Sequence, residues 1–199
     1  LDGARRPAGF VIVAYGKLGG IELSYGSDLD LVFIHDSRGN EQITDGPKPL
    51  DNHVFFARLG QRIIHFLNTL TPAGILYEVD MRLRPSGASG LLVTSLDTFR
   101  DYQEKDAWTW EHQALVRTRV VAGDSGLAAA FAEVRRAVLG RPRDPDALRA
   151  EVRDMRERMR QELGSRDPGR FDLKQGAGGI ADIEFMVQYH VLRYAHAHP

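Results

Sequence analysis

Gly26-Ser27-Asp28-Leu29-Asp30-Leu31-Val32-Phe33-Ile34 opens with two carboxylates one residue apart and runs straight into an apolar stretch. A short apolar run entered from a glycine turn reads as a buried strand, here Leu29 to His35. Side chains two apart leave a strand on the same side, so Asp28 and Asp30 share one face, and Leu29, Leu31 and Phe33 the other. Two like charges held so close are costly unless a cation lies between them. Upstream, Gly16-Lys17-Leu18-Gly19-Gly20 follows another apolar run, Phe10 to Tyr15, which reads as a first strand ending in a turn. Glycine N–H groups can approach a polyphosphate closely, and Lys17 adds positive charge. The turn has the spacing of neither a P-loop nor a dinucleotide fingerprint. An Asp-x-Asp strand behind a glycine turn predicts a divalent-metal site beside a phosphate site.

An Asp-x-Asp pair alone is equally well a solvated strand cap. A calcium loop is excluded, because Leu29, Leu31 and Val32 stand where such a loop needs polar ligands. The third carboxylate tips the reading. Leu76 to Leu83 alternates, with Tyr77, Val79, Met81 and Leu83 on one side and Glu78, Asp80, Arg82 and then Arg84 on the other. Asp28, Asp30 and Asp80, converging from two strands, offer oxygen ligands for two magnesium ions. That is the equipment for in-line displacement at phosphorus. Arg82 and Arg84 either neutralise the acidic cluster or contact phosphates and a leaving pyrophosphate.

The rest of the chain supplies a scaffold. Its 199 residues and 43% hydrophobic content suffice for a packed domain with a helical extension. A net charge of -1 argues against a large nonspecific footprint on nucleic acid. With no cysteine there is no disulfide, thiolate zinc site or cysteine nucleophile, and the cytoplasm is the simplest compartment. No apolar run approaches a membrane span. The start at Leu1, without methionine, reads as an excised piece of a longer chain.

Asp36 to Pro49 is a polar loop, and Asp51 to Leu70 is a helix with Phe55, Leu59, Ile63, Phe66, Leu67 and Leu70 as its apolar face. Ser95 caps a helix through Phe99 and Tyr102, and Trp108 to Val121 reads as another. Trp108, Trp110 and His112 read as core. Leu127 to Leu139 is helical, and Leu148, Val152, Met155, Met159 and Leu163 stripe a long charged helix. Arg141 to Asp146 reads as a linker, Arg170 to Gly179 as a second glycine loop, and Ile180 to His196 as a final helix whose N-terminus could face an anion. The expected architecture is α+β: a mixed-sheet domain over residues 1–124, then a helical, bundle-like region over 125–199.

Several stretches together resemble the glutamine synthetase adenylyltransferase family and, more broadly, the nucleotidyltransferase fold of DNA polymerase beta. They are Gly16 to Leu23, Gly26 to Leu31, Glu78-Val79-Asp80-Met81-Arg82-Leu83-Arg84-Pro85-Ser86-Gly87, Phe171 to Lys174 and Gly178 to Phe185. Tyr25-Gly26-Ser27 and Ala107 to Arg117 resemble the C-terminal, adenylylating copy of the two catalytic domains in that family. The Gly-Ser usual at the first loop of the superfamily is Gly16-Lys17 here, so the phosphate role passes to the loop as a whole.

The resemblance implies ATP as substrate, with its triphosphate along Gly16, Lys17, Gly19, Gly20 and Ser27, and Arg82 and Arg84 nearby. It implies Mg2+, or Mn2+, on the catalytic residues Asp28, Asp30 and Asp80. The implied acceptor is a tyrosine of glutamine synthetase, and the implied regulator is the PII signal protein, acting through the full-length enzyme. The alternatives are the adenylyl-removing copy, a nucleotidyltransferase with another acceptor, and a nucleotide-sensing module without catalysis.

Overall fold

The structure is a computed structural model that describes residues 7–38, 42–75, 77–165, 167, 169 and 171–198. The chain divides into two compact units, Leu1–Asp106 with Arg117–Val134, and Ala107–Val116 with Arg135–Pro199.

The first unit is built on a mixed sheet. Strand β1 (Phe10–Ala14) and strand β2 (Leu29–His35) pair antiparallel, from Phe10 opposite His35 to Ala14 opposite Leu31. Between them lies α1 (Gly16–Gly19), a single helical turn where the sequence predicts only a glycine turn. On its other edge β2 pairs in parallel with two short strands, β3 (Val79–Asp80) beside Leu29–Asp30 and β4 (Val93–Ser95) beside Phe33–His35. Strand β5 (Arg119–Gly123) completes the far edge, antiparallel to β1 with a register shift between Ile12 and Val13. The α+β class and the mixed sheet thus match expectation.

The apolar side chains of β2 decide where the core sits. Leu29, Leu31 and Phe33 face α2 (Asn52–Leu67), joined by Ala14, Met81 and Val93. Asp51 caps that helix, accepting from His53 N at 2.8 Å. Its buried face turns on Phe56 and Gly60, with Leu59, Ile63 and Ile64 beside them, whereas Phe55, Phe66 and Leu70 are exposed. The helix stops at Leu67, so helical spacing does not carry to Leu70. A Cβ at Gly60 would stand 2.8 Å from Val93 Cγ2 and 3.1 Å from Phe33 Cδ2, so glycine there lets the helix lie close on the sheet. On the opposite face, Val32 and Ile34 are fully buried. Helix α3 (Leu96–Lys105) packs against β2 and β4, and Ser95 Oγ accepts from Thr98 N at 3.1 Å as its cap.

Two expected elements are corrected. The strand predicted from Leu76, a residue outside the described set, to Leu83 forms ladder pairs only at Val79–Asp80. Beyond it the chain turns, because Arg84 donates to the carbonyls of Met81 (2.8 Å) and Ala88 (3.1 Å) around Pro85. The helix predicted over Trp108–Val121 is only α4 (Thr109–Leu115), and Arg119 with the β-branched pair Val120-Val121 enters β5 instead. The predicted loop from Asp36 to Pro49 is confirmed over its described part, residues 39–41 lying outside it.

The second unit is helical. It contains α4, the end of α5 (Ser125–Leu139), α6 (Pro145–Leu163) and α7 (Ile180–Tyr194). The segment Arg141 to Asp146 is the turn into α6, where Asp144 caps by accepting from Ala147 N at 2.8 Å. Leu148 and Val152 are buried on α6 as predicted and Met155 and Met159 half-buried, but Leu163 is exposed and the third buried position is Arg156. Buried Arg156 donates to Asp182 Oδ1 at 2.6 Å and to the backbone oxygen of Gln175 at 2.9 Å. Asp182, in the first turn of α7, also accepts from Gly178 N at 2.7 Å. The anion predicted at that helix N-terminus is therefore the chain's own carboxylate. The glycine loop before α7 was predicted from Arg170, which lies outside the described residues. His112 is buried with Nδ1 3.1 Å from Arg143 Nη1, as a core histidine should be. Trp108, expected in the core, is exposed, since it precedes α4 as its N-cap.

Candidate active site

The candidate site grows out of the first residues of β2. Asp30 is the direct partner of Asp80 across the parallel β2–β3 pairing, so both side chains leave the sheet on one face. That pairing is fixed just before the strand by Leu29 N donating to Glu78 O at 2.7 Å. Asp28 lies two residues before Asp30, and the Arg82 guanidinium feels the charge of Asp80, Asp30 and Asp28 alike. Arg82 is bound to Asp80 in detail. Its Nε and Nη2 lie 2.7 and 2.5 Å from Oδ2, and its backbone N donates to Oδ1 at 2.8 Å. These bonds, with the charges of Arg82 and Arg84, hold the Asp80 carboxyl below the usual carboxylate range against the opposing effect of burial.

The glycine turn closes on the same carboxylates. Gly16 has φ +52°, and a Cβ there would stand 2.5 Å from Asp30 Oδ2. Only glycine both adopts that conformation cheaply and leaves room for the carboxylate. Tyr15 N donates to Asp30 O at 2.9 Å and ties the start of α1 to β2. Beyond α1, buried Ser27 is held by Ser24, through Ser24 N at 3.2 Å and Ser24 Oγ at 3.0 Å, and Lys17 Nζ reaches its hydroxyl at 3.5 Å. Gly16, Lys17, Ser27, Asp30, Asp80 and Arg82 are thus gathered at one end of β2. Arg84 is turned away into the backbone carbonyls of residues 81–90.

Two residues outside the expected set support the turn. Arg119, on β5, donates to Leu18 O at 3.0 Å and satisfies a carbonyl at the end of α1. Arg117 pairs with Glu22 at 2.5 Å. Recognition of β5 as a strand would have pointed to Arg119, its first residue, whereas Arg117 lies in the turn before it and carries no such signal.

Among the described residues, no three His, Asp or Glu side chains stand close enough together to hold one ion. Asp80 is turned onto Arg82 instead. The donors are nevertheless all carboxylate oxygens, as hard divalent cations prefer. A guanidinium at hydrogen-bond distance from Asp80 means that this position already accommodates positive charge. The set therefore fits magnesium or manganese in kind. Among the described residues, no helix is long and apolar enough to cross a membrane.

Comparison with known proteins places the chain. The family described as Glutamate-ammonia ligase adenylyltransferase matches residues 2–134. A bifunctional glutamine synthetase adenylyltransferase/adenylyl-removing enzyme of Thioalkalivibrio sulfidiphilus is 67% identical over 199 residues, covering 100% of this chain and 20% of the relative. Proteins of the same name from Nitrosococcus oceani and Pseudomonas aeruginosa are 64% identical over 192 residues and 59% identical over 211. They cover 96% and 100% of this chain and 20% and 21% of their own lengths. The chain spans about a fifth of the length of the curated relatives it matches. A match that takes in all five strands, joined to relatives of this identity, means that the chain belongs to the glutamate-ammonia ligase adenylyltransferase family.

Proposed function

We propose that this chain carries the site that transfers AMP from ATP to a tyrosine hydroxyl of glutamine synthetase, releasing pyrophosphate. The observation that carries the reading is the register of Asp30 with Asp80 over a glycine turn with no room for a Cβ at Gly16. The names of the relatives supply the acceptor. The stretch Ala107 to Arg117 supplies the choice of the adenylylating copy over the adenylyl-removing one.

In this reading Asp28, Asp30 and Asp80 hold Mg2+ or Mn2+. The bound ion stabilises charge on the phosphoryl oxygens and helps a hydroxyl ionise near neutral pH. Gly16, Lys17, Gly19, Gly20 and Ser27 line the path of the triphosphate. Free tyrosine has a pKa of about 10, so its proton needs an acceptor at neutral pH. Asp80 is that acceptor. Its pairing with Arg82 keeps it ionised but makes it a weak base, so Arg82 must leave it for it to take the proton. The departing pyrophosphate gives Arg82 a new partner, and Arg84 shapes the turn that carries it. Cytoplasmic location and control through PII in the full-length enzyme complete the proposal.

The test mixes the chain with glutamine synthetase, Mg2+ and α-labelled ATP. Label on a synthetase tyrosine supports the reading. Label found only on RNA overturns it. ADP released from adenylylated synthetase in the presence of phosphate assigns the removing reaction instead.

A further inference from the structure

We infer that Ile21 and Tyr25, on the loop between α1 and β2, form the contact that receives the acceptor protein beside Asp28. This inference rests on the proposed transfer reaction and names the part of the chain that selects its acceptor.

The loop is short and held firmly. Glu22 N donates to Lys17 O at 2.7 Å, and the Glu22 side chain is paired with Arg117 at 2.5 Å. Ser27 N donates to Ser24 O at 3.0 Å, closing a four-residue turn with Tyr25 and Gly26 at its corners. Gly26 has φ +72°, as the third position of a type II turn requires. Ser27 is buried beneath, bonded to Ser24 through backbone and hydroxyl.

On this frame two large apolar side chains stand in water. Tyr25 is 100% exposed and Ile21 is 79% exposed. Ile21 also has φ +61°, a left-handed conformation that is an outlier for a β-branched residue. Folding alone gives no reason to keep a strained isoleucine and a bare tyrosine there. Strain held by surrounding bonds is characteristic of functional segments.

Position selects the occupant. Tyr25 is three residues from Asp28, so their Cα atoms are at most about 11 Å apart. A small nucleotide is taken up in a concave site, whereas a fully exposed aromatic at a convex turn suits the centre of a protein contact. Lys17 reaches the hydroxyl of buried Ser27 at 3.5 Å, at the base of the turn, and the exposed tip at Tyr25 is left to the acceptor. Tyrosine on a rigid turn also loses little entropy on docking.

The test uses the natural full-length protein with Tyr25→Ala, Tyr25→Phe and Ile21→Asn, asparagine being the residue that best tolerates the left-handed conformation. Initial rates of AMP transfer are measured against synthetase concentration. Binding of α,β-methylene ATP with Mg2+ is measured by calorimetry. Tyr25→Ala and Ile21→Asn should each raise KM for the synthetase about tenfold, the scale of a hot-spot contact. The kcat and the analogue's Kd should stay within about twofold, and Tyr25→Phe should restore most of the loss, since the ring makes the contact. Weakened analogue binding with unchanged synthetase KM overturns the inference and gives Tyr25 to the nucleotide. Wild-type protein that labels the synthetase while the variants keep its KM overturns this contact alone. Wild-type protein that leaves the synthetase unlabelled overturns the reaction and the contact together.

Discussion

Asp30 and Asp80 are register partners across the parallel pairing of β2 with β3, and the second of them is held by both nitrogens of one face of Arg82. A backbone register, rather than side-chain flexibility, sets their separation. Such a pair of like charges is an energetic burden that a fold tolerates for function.

Neutralising that burden should therefore separate activity from stability. Asp28→Asn and Asp30→Asn should each lower AMP transfer about a thousandfold, the rate equivalent of several kcal/mol of lost charge stabilisation. The thermal midpoint should change little, because each of these carboxylates faces both the like charge of Asp80 and the guanidinium of Arg82. Rate assays with labelled ATP beside thermal melts check this. A variant that keeps a substantial rate would remove the Asp pair from the mechanism.

Gly16→Ala tests the cradle from the other side. The methyl would meet Asp30 Oδ2 at 2.5 Å on a backbone with φ +52°. The left-handed conformation alone costs roughly 1–2 kcal/mol for a residue with a Cβ. The contact adds displacement of Asp30. We expect transfer to fall well beyond what the stability loss explains, measured as kcat against denaturant midpoint.

Much of this was legible in the sequence, and the failures have physical causes. Strands β1 and β2 are central and carry unbroken apolar runs, so their bounds were readable. Asp80 was recognisable from alternation, although only two residues of that alternating stretch pair in the ladder. β4 is three residues long, too short for periodicity to declare it, and β5 is a largely exposed edge strand whose Val-Val-Ala run follows the apolar spacing of α4 without a break. Arg156 sits on an apolar stripe because Asp182 and Gln175 satisfy it from residues far along the chain, which no local pattern records. Arg84 shared the predicted face of Asp80, but the chain turns after the strand and directs it to backbone carbonyls.

The Arg82–Asp80 pair has a pH signature. Arg82 holds the folded-state Asp80 carboxyl below its ordinary value, so the pair stabilises the fold above the unfolded carboxylate pKa of about 4. That contribution is lost as pH falls through the lower folded value. Arg82→Gln should therefore be less stable than wild type by a constant margin above about pH 5, and the margin should close under acid. Denaturant midpoints from pH 7 to pH 3 check the shape.

A second pH effect lies at the other end of β2. His35 is 1% exposed, stacked on Phe56 with ring centroids 4.6 Å apart, and its Nδ1 accepts from Ser37 N at 3.0 Å. Burial, then the charge of His53, lowers its pKa to about 4. The unfolded chain takes up this proton first, near pH 6.5, so stability is full above that pH and falls as pH drops from 6.5 towards 4. By pH 5 the loss amounts to about 2 kcal/mol at 1.36 kcal/mol per unit. His35→Asn keeps an acceptor for Ser37 N without a titrating ring. Its stability should change less between pH 7 and pH 5, as urea unfolding would report.

Asp182 offers the clearest test of the helical unit. It accepts from Arg156 at 2.6 Å, from Arg160 at 3.2 Å and from Gly178 N at 2.7 Å. Gly178 N and the guanidinium of Arg156 hold its carboxyl below the ordinary range, with Arg160 adding to the effect. Removing the carboxylate leaves Arg156 buried with only Gln175 among these partners. Leaving a buried charge uncompensated costs more than the pair itself contributes. Asp182→Ala should cost about 3 kcal/mol. Asp182→Asn keeps the acceptor for Gly178 N but not the charge, so it should fall between the two. If alanine and asparagine cost the same, the charge of Asp182 is what holds Arg156, and the bond to Gly178 contributes little. If asparagine costs nothing, a neutral acceptor serves both Gly178 N and Arg156, and the charge of Asp182 contributes little.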